Sequence, residues 1–186
     1  VMFCKALHAH LEDKVRRNLP NALIVASQLL FNLQSVARAP MVAEQHYNTD
    51  NAMFARMLGP TMNYSCGYWK DAETLDEAQR NKMDLICRKL DLKEGMSVLD
   101  IGCGWGGLSL YMAKEYGVKV TGVTISTEQL AYAREHDAGH LVNWLLQDYR
   151  SMEGQFDRIV SVGMFEHVGR KNYDIFMKTT KRLLKP

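Results

Sequence analysis

Residues 98 to 107 read Val-Leu-Asp-Ile-Gly-Cys-Gly-Trp-Gly-Gly, and this stretch decides the fold. Val98, Leu99 and Ile101 are the apolar positions of a short buried strand. Glycines at 102, 104, 106 and 107 then turn the chain into a helix expected from about Leu108. Glycine reaches positive φ without a Cβ penalty, a backbone bare of side chains can lie flat against a ligand, and the helix beyond presents unpaired N–H groups. Strand-to-helix turns of this kind bind nucleotide-like cofactors. Gly102, Gly104 and Gly107 also satisfy the dinucleotide fingerprint, so the pattern alone leaves a nicotinamide cofactor open. Asp100 helps to separate the two. An acid two residues before the first glycine repels a pyrophosphate and suits an amino acid tail carrying an ammonium, such as that of S-adenosylmethionine. The plain alternative is a tight turn whose glycines serve packing alone.

Outward from this loop, residues 118–125, 142–147 and 158–162 read as a second, third and fourth strand. Helices are expected to about Tyr116, where Gly117 marks the end, from a Ser126/Gln129 capping box to about His136, and over 173–184. Upstream, Thr74-Leu75-Asp76-Glu77 is a capping box opening a helix to about Leu90 that turns Leu75, Met83, Ile86, Cys87 and Leu90 towards the core. Alternating strands and helices at short intervals imply right-handed crossovers and a parallel sheet with helices on both faces. A ligand belongs at the carboxyl ends of such strands, where residues 102–107, 124–126, 147–149 and 163–167 converge on one crevice.

A short helix is expected over 51–58, ended by Gly59-Pro60. The stretch that follows holds Met62, Tyr64, Cys66, Tyr68 and Trp69 without a clear period, and reads as a loop too apolar to stand free in water. It is expected to cover a pocket or to join the core. Residues 2–17 have the spacing of an amphipathic helix, and 23–36 form a second, more apolar one before Pro40. They read as two helices of a small bundle or as a membrane-surface segment. The domain division is therefore a helical segment over 1–38 and an α/β domain over 39–186.

Composition narrows the function. With 47% hydrophobic residues among 186 the chain can bury a core, and a formal charge of +2 argues against a dedicated nucleic-acid binder. Cysteines 4, 66, 87 and 103 show neither metal-ligand spacing nor a paired framework, so reduced thiols in a cytoplasm are the simplest reading. Cys87 reads as packing. The N-terminal stretch has no apolar run of bilayer-spanning length, and the expectation is a soluble or peripheral protein.

Several stretches taken together resemble the bacterial cyclopropane-fatty-acyl-phospholipid synthases: Phe-Asn-Leu-Gln-Ser (31–35), His46-Tyr47, Tyr-Ser-Cys-Gly-Tyr-Trp-Lys (64–70), the glycine loop, Gly-Val-Thr-Ile-Ser (122–126), Leu-Gln-Asp-Tyr-Arg (146–150) and residues 156–169 with Phe165-Glu166-His167-Val168-Gly169. The resemblance implies a class I S-adenosylmethionine-dependent methyltransferase fold, Rossmann-like. It implies transfer of the cofactor's methyl carbon to a cis double bond of a phospholipid acyl chain, with a bound bicarbonate as the base that lets the ring close. On that resemblance Cys66 and Glu166 contact the bicarbonate; His167, read from the residues alone, is a base or, as the neighbour of Glu166 with its side chain pointing elsewhere, a structural residue. The cofactor contacts are Tyr64, Ser65, Asp100, Gly102, Cys103, Gly104, Trp105, Gly106, Thr124, Ile125, Ser126, Gln129, Gln147, Asp148 and Tyr149. Thr124 stands where a Rossmann site usually has an acid for the ribose, and Gln129 either supplies part of that hydrogen bonding or only caps its helix. Asp148 either meets the adenine or caps the next turn.

The sequence departs from the family after His46-Tyr47, and its leader before Phe31 is shorter. The sheet is expected to be incomplete after the fourth strand, leaving an apolar edge at residues 158–162 open to aggregation or to another chain. The implied setting is the inner membrane surface, peripherally, with phospholipid acyl chains as substrate and a homodimer as one assembly. Two further readings stay open: a lipid C-methyltransferase that forms no ring, and a non-catalytic remnant.

Overall fold

The computed structural model describes residues 51–186. The helices expected over 2–17 and 23–36, the 1–38 segment and the His46-Tyr47 stretch lie outside the described residues. Helix α1 (Asn51–Leu58) buries Phe54 and Leu58, which stand four residues apart on one face. Helix α2 (Leu75–Lys89) opens with the full capping box: Thr74 Oγ1 accepts from the Glu77 N–H, and the Glu77 carboxylate accepts from the Thr74 N–H at 3.0 Å. Its buried side chains are Ala78, Gln79, Lys82, Met83 and Cys87, so Cys87 is packing as expected. Leu75 corrects the expectation, since it remains exposed. As the first helical residue it lies a full turn before the buried stripe.

The remaining elements are β1 (Ser97–Ile101), α3 (Gly107–Tyr116), β2 (Lys119–Thr124), α4 (Thr127–His136), β3 (Val142–Leu146), β4 (Arg158–Val160), a short α5 (Phe165–Val168) and α6 (Tyr173–Leu183). All strand pairs are parallel, in the order β3-β2-β1-β4, with Leu99 of β1 opposite Thr121 of β2 on one side and Ile159 of β4 on the other. Alternation along the strands divides the core. Val98 and Val120 pack on one face with Met83 and Cys87 of α2, Leu108 and Met112 of α3, and Leu130 and Ala133 of α4. Leu99, Ile101 and Val123 pack on the other with Phe176 and Leu183 of α6. Val98, Leu99 and Ile101 are at most 1% exposed. Each such side chain is worth roughly 1.5–3 kcal/mol of burial, so a one-residue slip of β1, which would exchange its two faces, is strongly opposed.

Strand β4 is shorter than the expected 158–162. The physical reason lies in its neighbour: β1 ends at Ile101, and Ser161 spends its hydroxyl on the Ile101 carbonyl at 2.9 Å. The outer side of the β4 segment is also partly taken. Leu184 forms a parallel bridge with Phe156, whose N–H donates to Leu183 O at 2.7 Å and whose carbonyl accepts from the Lys185 N–H at 2.9 Å. Beside this bridge Asp157 accepts from the Ser97 hydroxyl at 2.6 Å and pairs with Lys185 Nζ at 2.8 Å, contacts that hold its carboxyl well below the usual carboxylate range.

Candidate functional site

The four glycines after β1 do different work. Gly102, Gly104 and Gly106 take φ of 77°, 57° and 91°, values that side chains resist. A Cβ on Gly102 would lie 2.8 Å from the Met164 side chain, and one on Gly106 would meet the Trp144 ring. One on Gly107 would fall onto the Thr61 carbonyl oxygen. Only at Gly104 does a Cβ meet nothing within 4 Å. Close packing thus accounts for glycine at 102, 106 and 107, whereas beside Gly104 the space is open.

The side chains between them point inward. Cys103 is 8% exposed, and burial pushes its thiol well above the ordinary range. Trp105 is 2% exposed, donates from Nε1 to Asn51 Oδ1 at 2.9 Å and lies 4.8 Å from the Phe54 ring, so it fastens α1 over the loop. Any contact they make with a ligand is left to their backbone. Asp100 is sealed from solvent, accepts from the Ser109 hydroxyl of α3 at 2.7 Å, and burial raises its carboxyl to about 6.

At the end of β2, Thr124 donates its hydroxyl to Gln129 Oε1 at 3.1 Å and accepts from the Ser126 N–H at 3.2 Å, all three residues being buried. Ser126 caps α4 by accepting from the Gln129 N–H at 3.3 Å. The expected reciprocal box is therefore half formed, because the Gln129 amide oxygen turns to Thr124. Ile125 between them remains exposed. After β3, Gln147 donates to Ser151 O at 2.9 Å. Asp148 takes the capping alternative: it accepts from the Arg150 N–H at 2.9 Å and pairs with the Arg150 guanidinium at 2.6 Å, which holds its carboxyl below the ordinary range despite burial. The half-buried Tyr149 ring packs edge-on against Phe176.

The segment 59–70 is a loop, and it splits the two expectations for it. Met62 is 3% exposed and joins Phe54, Leu58 and Trp105, whereas Tyr64, Cys66, Tyr68 and Trp69 are exposed. This strap crosses Gly107 at Thr61, and at Ser65 it reaches Gly163, whose Cβ would lie 3.8 Å from that of Ser65. Gly163 leads through Met164 into α5, where Glu166 and His167 are both exposed. The strap that holds Cys66, the glycine loop and the turn that leads into Glu166 thus lie together beyond the carboxyl ends of β1 and β4. Lys82, Gln79, Ser109 and Met164, which hold these loops, were not singled out beforehand. The signal for the first two was a lysine and a glutamine standing at helical spacing within the apolar stripe of α2.

The family model described as mycolic acid cyclopropane synthetase matches residues 34–186. The chain belongs to this family. Among the relatives of this synthetase-family chain, the cyclopropane-fatty-acyl-phospholipid synthase of Escherichia coli K12 is 55% identical over all 186 residues, which are 49% of that protein. The chain spans about half the length of the curated relatives it matches. Among solved structures, a mycolic acid cyclopropane synthase complexed with SAH and CTAB superposes with a TM-score of 0.75 at 38% identity, over 78% of this chain and 53% of that one. A coclaurine N-methyltransferase bound to N-methylheliamine and SAH gives a TM-score of 0.68 at 29% identity, over 95% of this chain and 55% of that one. The synthetase-family chain accordingly has the class I S-adenosylmethionine-dependent methyltransferase fold, with four parallel strands of a Rossmann-like sheet among the described residues.

Proposed function

We propose that this chain carries the S-adenosylmethionine site, and the Cys66 and Glu166 part of the reaction centre, of an enzyme that adds the cofactor's methyl carbon across a cis double bond of a phospholipid acyl chain to form a cyclopropane ring. The observation that carries the reading is the meeting of three loops: the strap with Cys66, the turn into Glu166, and a glycine loop open at Gly104 alone. The cofactor fits the space that a Cβ on Gly104 would occupy, with Ile125 as an apolar neighbour at the next strand end. Bicarbonate fits the donor set, because Glu166 is an exposed carboxylate acceptor and Cys66 an exposed thiol. When bound, the cofactor supplies an electrophilic methyl and bicarbonate a base for the proton that must leave before the ring closes.

The chain's own residues do the rest. Trp105, anchored on Asn51 and Phe54, stiffens the loop so that the Gly104 backbone is presented without rearrangement. Asp100, bonded to Ser109, fixes the start of α3 against β1. Glu166 holds its acceptor at the surface of the crevice, among the described residues unspent on any hydrogen bond or ion pair. Met53 and Met57, four residues apart on α1, stand about half exposed near a strap carrying exposed Tyr64 and Trp69, an apolar surface suited to acyl chains. No helix among the described residues is long and apolar enough to cross a membrane. The reading adds peripheral access to phospholipid from the cytoplasmic side and a homodimer, both of which rest on the resemblance.

The test is incubation of the whole enzyme that carries this chain with vesicles of a cis-unsaturated phospholipid and isotopically labelled S-adenosylmethionine. Mass spectrometry should show a gain of CH₂ and NMR the protons of a cyclopropane. A labelled product that keeps its alkene would leave methyl transfer standing and remove ring formation; no labelled lipid at all would remove both.

A further inference from the structure

Lys82 is a buried cation to which the proposed reaction assigns no part. It stands in the apolar stripe of α2 beside Met83, is 9% exposed, and among the described residues no carboxylate pairs with it. Its Nζ donates instead to Ser65 Oγ at 2.8 Å. One turn earlier Gln79 Nε2 donates to the Ser65 carbonyl at 2.9 Å, and the Tyr68 N–H donates to the Ala78 carbonyl at 2.9 Å. Ser65 is therefore held by both its backbone and its side chain, and the strap around it is pinned to the same face of one helix.

The polarity of this arrangement matters. An ammonium only donates, so Ser65 Oγ must accept from it, and the hydroxyl hydrogen is left to be given elsewhere. Among the described residues nothing takes that hydrogen. The buried ammonium is itself costly without a counter-charge. Burial lowers Lys82 to about 8, with Cys66 acting in the opposite direction, so the side chain is still mainly charged at neutral pH. Donor and cation together define a place for an anionic acceptor next to the strap. Of the charged groups on S-adenosylmethionine, the sulfonium and the ammonium cannot accept, and only the carboxylate of the amino acid tail can.

We infer that Lys82 is a positioning residue that fixes the Ser65 hydroxyl as a donor to the carboxylate of the cofactor's amino acid tail, so that the strap selects a tail bearing that group. The inference rests on the cofactor reading above and names the part of the cofactor that Ser65 meets. It also makes Lys82 act through Ser65 and not by direct contact.

The experiment compares two probes by calorimetry on the protein as its gene encodes it: S-adenosylhomocysteine, and the same molecule lacking the carboxylate. Lys82→Met should weaken S-adenosylhomocysteine binding about tenfold or more, the range of one charge-assisted hydrogen bond, while changing the decarboxylated probe less than about twofold. Lys82→Arg, which keeps the charge and the donors, should restore most of the preference. Ser65→Ala leaves the buried lysine in place and should lose the same discrimination, with the Lys82→Met/Ser65→Ala pair little worse than either alone. If Lys82→Met does not fold, the Ser65→Ala comparison decides by itself. Equal weakening of both probes, or none of either, would overturn the inference and leave the cofactor reading intact. Failure of the wild-type protein to bind either probe would overturn both.

Discussion

Replacing Gly104 and Gly107 separately by alanine should produce two opposite failures. At Gly107 the new Cβ falls on the Thr61 carbonyl oxygen, with Asn63 Nδ2 at 3.0 Å, and a backbone oxygen cannot swing away as a side-chain tip can. The strap must lift from α3 by about an ångström, which takes Met62 partly out of its cluster with Phe54, Leu58 and Trp105. Overpacking costs about 1–3 kcal/mol, and partial exposure of Met62 adds up to about 1.5 kcal/mol. The better helix propensity of alanine at the first residue of α3 returns up to about 1 kcal/mol. The net expectation is about 1–3 kcal/mol, a fall in Tm of roughly 3–10 °C for a domain of this size. At Gly104 the Cβ enters open space, and the cost is that of alanine at φ +57°, about 1–2 kcal/mol, offset by about 0.4–1 kcal/mol from a less flexible unfolded chain. The net cost is about 0–1.6 kcal/mol, so its Tm should fall by no more than about 5 °C, while affinity for S-adenosylhomocysteine falls at least tenfold. Scanning calorimetry and titration calorimetry on the same preparations measure both. A Gly104→Ala protein that binds as the wild type does, or a Gly107→Ala protein as stable as the wild type, would refute the division of the glycines.

Three further outcomes are expected. Asp100→Asn should change the pH dependence of stability: the carboxyl sits at about 6 in the folded chain against an ordinary 3.8, so its contribution is fully present below pH 3.8 and is lost as pH rises through 6. Relative to the amide variant, the wild type should lose about 3 kcal/mol between pH 3.5 and pH 7 in urea titrations, and an unchanged difference would reject the assignment. Thr74→Ala removes the side-chain half of the α2 capping box and should cost about 1 kcal/mol by denaturant unfolding, without altering cofactor affinity. Glu166→Gln keeps the side-chain size but loses its charge, and should reduce turnover far more than S-adenosylhomocysteine affinity; equal losses in both would falsify the role proposed for it.

Much of the sheet was legible because its signals are local. Val98, Leu99 and Ile101 alternate into a glycine run, Gly117 ends α3 at φ 63°, and Thr74 with Glu77 three residues on marks the start of α2. What stayed hidden depends on residues far apart in the chain. Nothing near Gly104 tells it from Gly107; the distinction is made by Thr61 crossing from the strap. The Gln129 amide looked like half of a capping box because its partner Thr124 lies five residues upstream on another element. Strand β4 looked longer because Val162 continues its apolar run, while the end of its neighbour β1 is what stops it. Lys82 stands within the apolar stripe of α2, and it is the Ser65 strap, 17 residues away in the chain, that supplies its buried partner.

The indole of Trp144 links two glycines that lie on different elements. It stands 2.8 Å from where a Cβ of Gly122 on β2 would be and 2.5 Å from that of Gly106, while its Nε1 donates to Asp137 at 3.0 Å and fixes the ring in place. Sequence drift at these positions is therefore not independent. A lineage that shortens residue 144 to leucine relieves the tightest contact at position 122, where alanine then needs only a shift of a few tenths of an ångström at Cys103, because Gly122 has no positive φ to preserve. Position 106 gains the room but stays glycine, bound by its φ of 91°. Across descendants of this chain, residues 122 and 144 should change together, whereas 106 should outlast both.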